Sequence, residues 1–133
     1  MSADAFRAAV APLIAEMQAS ANAHDTARHM ALYRRDPALV FIFNGEIIRG
    51  YDALYEKQLA WWDHGRARGS YAYQGEPMVE ALGDDAGLTT VVIAAPKPQD
   101  DGIILQRTLV HSALWRRLPE GWRIVWAHES STR

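Results

Sequence analysis

The sequence contains no cysteine, which excludes disulfides, thiolate nucleophiles and zinc–thiolate sites. It has no long apolar run either. Nothing approaches the roughly 20 residues that span a bilayer, and the N-terminal segment lacks a basic stretch followed by an unbroken apolar one, so it does not read as a signal peptide. A cytoplasmic location and no membrane partner are expected. The net charge is only −2, which offers no attraction to a nucleic acid or an anionic membrane surface. Glycine-rich phosphate loops, a serine framed as a nucleophile elbow, and clustered His or acidic metal ligands are all missing from the sequence. No metal and no cofactor are therefore expected.

What is present is an ordinary globular composition. The 133 residues are 49% hydrophobic and 23% charged, which suits one domain over residues 1–133 with a sizeable core. All five tryptophans, at 61, 62, 115, 122 and 126, lie in the later part of the chain. Residues 3–22 carry Phe6, Val10, Leu13, Met17 and Ala21 at helical spacing, with Pro12 expected to kink the helix. Asp25 is a good N-cap for a short second helix to Tyr33, which Asp36-Pro37 ends. Asn44-Gly45 is a hairpin signal between strands at 39–43 and 46–49. A third helix is expected over 52–64, followed by a loop between Gly65 and Gly69 that carries two arginines. Strands are then expected at 70–82, 88–95 and 103–118, with a polar loop at 96–102. The final strand begins after the Pro119-Glu120-Gly121 turn. Helices first and a meander of strands after them is an α+β order, with the helices packed on one face of a curved sheet.

At period two the last strand separates Trp122, Ile124, Trp126, His128 and Ser130 from Arg123, Val125, Ala127 and Glu129. Both sets contain apolar members, so neither face is expected to be fully wet. His128 and Glu129 are neighbours and cannot serve one site from a regular strand.

Taken together, Asp25, Gly45, Gly50-x-Asp52, Trp62, Gly83-Asp84 and Gly121-Trp122-x-Ile124-Val125-x-x-His128-x-Ser130 resemble the SnoaL-like branch of the nuclear transport factor 2-like superfamily. Within that superfamily the chain is similar to the association domain of calmodulin-dependent protein kinase II. The resemblance spans almost the whole chain and implies a cone. Three N-terminal helices pack on the concave face of a curved, mostly antiparallel sheet and enclose a pocket, while the convex face forms a homodimer. It also implies a parity in which Glu129, Ala127 and Val125 look into the cone and His128, Trp126 and Ile124 toward the dimer interface. The superfold hosts isomerases, cyclases, dehydratases and assembly modules alike, so it does not name a function.

Arginines that line the pocket of the kinase association domain fall here on Ile93, Ala113 and Glu129. The resemblance thus implies a more apolar pocket with an acid at its polar end, suited to a small apolar or neutral ligand. Glu129 reads in two ways: a desolvated general base, or a structural partner of Arg107 or Arg123. His111 shares parity with Ala113; it is either the second member of a proton-moving pair or a satisfied core or interface histidine. Tyr33 and Trp62, at helix ends, are candidates for the pocket wall. His24, His29 and His64 read as helix-end or surface residues. Two functions follow: a small-molecule site, as of a proton-transfer enzyme of isomerase or cyclase type with Glu129 and His111 as candidate catalytic residues, or a non-catalytic homo-oligomerisation module.

Overall fold

The structure is a computed structural model that describes residues 1–132. The first helix, α1 (Ala3–Asn22), starts where the Ser2 hydroxyl accepts the Ala5 N–H, a side-chain cap for one of the free amides of the first turn. It buries Phe6, Val10, Ile14, Met17 and Ala21. Ile14 takes the central place expected of Leu13, which sits at the margin of the core. The helix runs unbroken through Pro12, which lies on its exposed side. Helix α2 (Thr26–Met30) begins at Asp25, whose carboxylate accepts the Arg28 N–H at 3.1 Å. It is one turn long and stops short of Tyr33.

Strands β1 (Val40–Phe43) and β2 (Glu46–Arg49) form the expected hairpin. Asn44 and Gly45 both have positive φ, 47° and 88°, as a tight two-residue hairpin turn requires. Helix α3 (Tyr51–Trp61) follows Gly50 and gives way to a 3-10 turn at Asp63–Gly65. The strand expected over 70–82 is two short ones, β3 (Ala72–Tyr73) and β4 (Met78–Ala81). Gly75, at φ 75°, and Pro77 break the run between them. Then come three long strands: β5 (Ala86–Pro98), β6 (Ile104–Leu118) and β7 (Gly121–Ser131). β5 continues through Pro96 and Pro98, which were expected in a loop. Proline is tolerated there because the pairing of β5 with β3 ends at Ala94, so no neighbour on that side needs the missing N–H groups.

The sheet order is β2-β1-β7-β6-β5-β3, with β4 also on β5. The ladders are antiparallel except β1–β7, which is parallel. The sheet curves without closing, and its inner face packs against the helices. At the base of the core Trp115 is fully buried and its indole N–H donates to Thr89 Oγ1 at 2.8 Å. Phe6 packs on Trp122 with ring centroids 5.4 Å apart. It also lies across Gly87, where a Cβ would collide with its ring.

The parity expected of β7 needs a correction. Its register against β6 shifts between Leu114 and Trp115, which face Trp126 and Ile124. Val125 is therefore the extra residue of a β-bulge, and a bulge reverses the alternation of faces. Ala127 and Glu129 do look into the cone, and Trp126 and His128 do look out. Before the bulge the faces exchange: Ile124 is 0% exposed and belongs to the core, while Val125 turns to the outer side beside Trp126.

Candidate functional site

The inner face of the sheet and the ends of the helices leave a cavity of about 160 Å³. An apolar cavity of roughly this size, ~150 Å³, holds one benzene ring. Strand alternation brings side chains to it from several strands. Phe41 and Phe43 come from β1, Ile93 from β5, Arg107, Leu109 and His111 from β6, and Glu129 from β7. His111 and Glu129 lie directly opposite one another in the β6–β7 register, so their side chains rise from the same face as immediate neighbours. Trp61, Trp62 and Gln58 close one side from the end of α3. Tyr71 and Tyr73 close another. They are held there by α1: Asn22 brackets the Tyr71 backbone with two hydrogen bonds, and the Gln18 side chain accepts the Tyr73 N–H at 2.9 Å.

Five of the six candidate site residues thus line one cavity: Glu129, His111, Tyr33, Trp62 and Ile93. Ala113 does not reach it. It faces inward, but at 1% exposed it is sealed within the core. His29, read as a helix-end or surface residue, is buried in the pocket wall. The one-turn helix α2 turns it inward against Trp62, at 4.9 Å between ring centroids. Its Nδ1 lies 2.9 Å from the Ser20 hydroxyl, which also bonds the Met17 carbonyl. Tyr71 and Tyr73 were likewise not singled out, and Arg107 was named only as a structural partner of Glu129. Parity offered a signal for Arg107, which stands four residues before His111 on the same strand face.

The electrostatics are set by burial. Loss of water raises the Glu129 carboxyl to about 7, against the opposing pull of Arg107. No hydrogen bond or ion pair to that carboxylate is formed among the described residues. His111 is lowered to about 4 by desolvation, and His29 to about 3 by desolvation and by His111; both rings are neutral at physiological pH. The Tyr33 hydroxyl approaches His111 Nε2 at 3.4 Å, at the long end of hydrogen bonding. Burial, with the Glu129 charge, raises the Tyr33 and Tyr73 phenols. Three buried polar atoms of the wall have no partner: His111 Nδ1, Tyr73 Oη and Arg107 Nε.

The expectation that the pocket lacks positive charge fails at this point. Ile93 is apolar as expected, but Arg107 enters from a different position on β6, and Arg68 from the loop after α3 stands at the rim. No group of three His, Asp or Glu side chains suited to a metal occurs among the described residues. No helix is long and apolar enough to cross a membrane.

On the outer face, the cross-strand row Leu88–Leu114–Trp126–Val40 is apolar throughout. Trp126 is 48% exposed; Val110, 37% exposed, lies two rows away, beyond the polar row Thr90–Ser112–His128.

No protein-family model matches the chain, and no curated protein matches it. Solved structures do. A ketosteroid isomerase-like protein from Erwinia carotovora atroseptica superposes with a TM-score of 0.79 at 19% identity over 95% of each chain. An NTF-2 like protein of unknown function from Shewanella oneidensis gives 0.77 at 18% identity, covering 91% of this chain and 95% of the other. The association domain of C. elegans CaMKII gives 0.68 at 16% identity over 96% and 97%. Identities this low carry architecture rather than activity, and the architecture is clear: the chain has the nuclear transport factor 2-like fold.

Proposed function

We propose that the cavity binds a small, mostly apolar molecule and that Glu129 and His111 move a proton on it, as an isomerase- or cyclase-type enzyme does. The observation that carries this reading is the pair itself. Two titratable side chains stand opposite each other in one pocket, and loss of water displaces them in opposite directions, to about 7 and about 4. Such divergence is how one site supplies both an acid and a base. Glu129 near neutrality, with no fixed partner, can give its proton to one carbon of an activated substrate and take one back from another. Neutral His111, its Nδ1 free, can hold or exchange the proton of an adjacent oxygen. The ketosteroid isomerase-like neighbour is in keeping with this chemistry, though steroid isomerase activity is not implied. The test is solvent exchange: deuterium from D2O should enter a bound carbon acid, followed by NMR. Glu129→Gln should slow it by about 10²–10⁴, the usual contribution of a positioned base. Exchange that proceeds unchanged in Glu129→Gln would rule this role out.

A second reading rests on the outer face. The exposed Trp126 in an apolar row is surface that a second copy would cover. A homodimer through this face, with or without catalysis, fits the fold shared with an association domain. Sedimentation equilibrium at micromolar concentration decides between dimer and monomer.

A further inference from the structure

We infer that the pocket's ligand is a small carboxylic acid with a ring-sized apolar body, its carboxylate received by Arg107. The inference rests on the small-molecule reading above and narrows it. Its first support is a donor census. Of the buried wall atoms that lack a partner, Arg107 Nε–H and Tyr73 O–H are donors. The Tyr71 oxygen already accepts the Trp62 indole N–H at 3.0 Å, which leaves its own hydrogen free. Unmatched donors ask for a ligand that brings acceptors, since a buried donor without one is costly. The second support is charge. Arg107 forms no ion pair with any described residue. A ketone or alcohol would meet its hydrogen bonds alone, whereas a carboxylate meets both hydrogen bonds and charge and matches the planar guanidinium fork. The third is place. The Arg107 guanidinium stands 6.0 Å from the centre of the Phe43 ring. Phe43 in turn packs on Trp61 at 5.3 Å, so the cation adjoins an aromatic wall that an apolar body would cover.

The other charged and titratable groups around Glu129 fit this occupant. They are the cation of Arg68, the neutral rings of His29 and His111, and the hydroxyls of Tyr33, Tyr71 and Tyr73. Glu129 is then the sole anion in the pocket. With its carboxyl at about 7, it takes up a proton as the ligand's negative charge arrives. Binding of a carboxylate should therefore draw a proton from solvent and weaken at alkaline pH.

The experiment uses benzoate, with benzamide and benzyl alcohol as neutral counterparts, in isothermal titration calorimetry at pH 6 and pH 8. Benzoate should bind at least tenfold more tightly than either neutral ring at pH 6, and weaken about tenfold by pH 8. Glu129→Gln should remove that pH dependence and retain benzoate binding. Arg107→Met should abolish the preference for benzoate while the neutral rings still bind. Arg107→Lys, which keeps the charge and loses the fork, should retain part of it and guards against a variant that does not fold. Neutral rings binding as well as benzoate, or an unchanged preference in folded Arg107→Met, overturns the carboxylate inference and leaves the pocket reading standing. Failure of all three probes to bind overturns the inference together with the small-molecule reading beneath it.

Discussion

The stability of this protein should fall on mild acidification, and three buried groups set the slope. Between pH 4.5 and 6.5 the unfolded chain carries protons on His29 and His111, whose ordinary value is 6.5. The folded protein carries none there, because burial lowers the two rings to about 3 and about 4. Glu129 works in the opposite sense. Its ordinary value of 4.5 leaves it ionised in the unfolded chain, while in the fold it stays protonated up to about 7. The unfolded state thus binds two protons more on the histidines and one fewer on the glutamate, a net excess of one. Stability rises with pH wherever the unfolded state holds more protons. One proton is about 1.4 kcal/mol per pH unit, so roughly 2–3 kcal/mol should be lost between pH 6.5 and 4.5. That is a large share of the 5–15 kcal/mol typical of a domain. Above pH 6.5 the fading contribution of the histidines is offset by the ionisation of Glu129, so the maximum should lie near pH 7. The surface ion pairs of Glu16 and Asp84, whose carboxyls are lowered by Arg28 and by the N-terminal amine, lose their contribution only below this window. Urea unfolding followed by tryptophan fluorescence at pH 4.5, 5.5 and 6.5 measures the slope. Glu129→Gln should roughly double it, and His111→Phe should flatten it. A wild-type slope of zero or of opposite sign, with the m-value unchanged, would refute the placement of these groups in a dry pocket.

Other perturbations test other parts of the structure. Gly87→Ala should cost about 1–3 kcal/mol by overpacking, since its Cβ would meet the fully buried ring of Phe6. Phe6→Leu in the same chain should recover part of that loss, giving a non-additive double-mutant cycle in thermal or urea denaturation. Thr89→Val keeps the shape but strips the acceptor from the Trp115 indole N–H; about 1–3 kcal/mol should be lost for the unsatisfied buried donor. Trp126→Glu should leave the midpoint of unfolding of a monomer little changed, and should shift a dimer to monomer in sedimentation equilibrium; a dimer that survives it does not use the outer face.

The element order, the Asn44-Gly45 hairpin and the Asp25 cap could be read from the chain because each depends on local residue chemistry. Alternation along β6 and β7 likewise led to His111 and Glu129. The bulge at Val125 left no mark. Val125 and Ile124 are both apolar and β-branched, so exchanging their faces changes nothing in the pattern. The rest of the pocket wall was hidden for a different reason. Tyr71, Trp61 and His29 sit on a loop, at a helix end and on a one-turn helix, where no period exists to say which way a side chain points. Arg107 was read only as an ion-pair partner of Glu129, because the pocket's charge was judged from the positions that carry arginine in the resembling domain. Ala113 failed in the opposite way: its parity was right, but depth within the cone is not written in alternation.

The parallel contact of β1 with β7 has a kinetic consequence. The Asn44 side chain meets Ser131 across 87 residues of chain, and the Asn44 N–H donates to the Glu129 carbonyl. Closing so long a segment has a high entropic cost, and non-local pairings of this kind slow folding. The hairpin that supplies Phe41 and Phe43 is therefore expected to dock late, on β6 and β7 already paired, so that the cavity and the topology are completed together. A ligand that needs both sides of the cavity has little to hold in the transition state for folding. Its binding should lengthen the lifetime of the folded protein by slowing unfolding while leaving the folding rate almost unchanged.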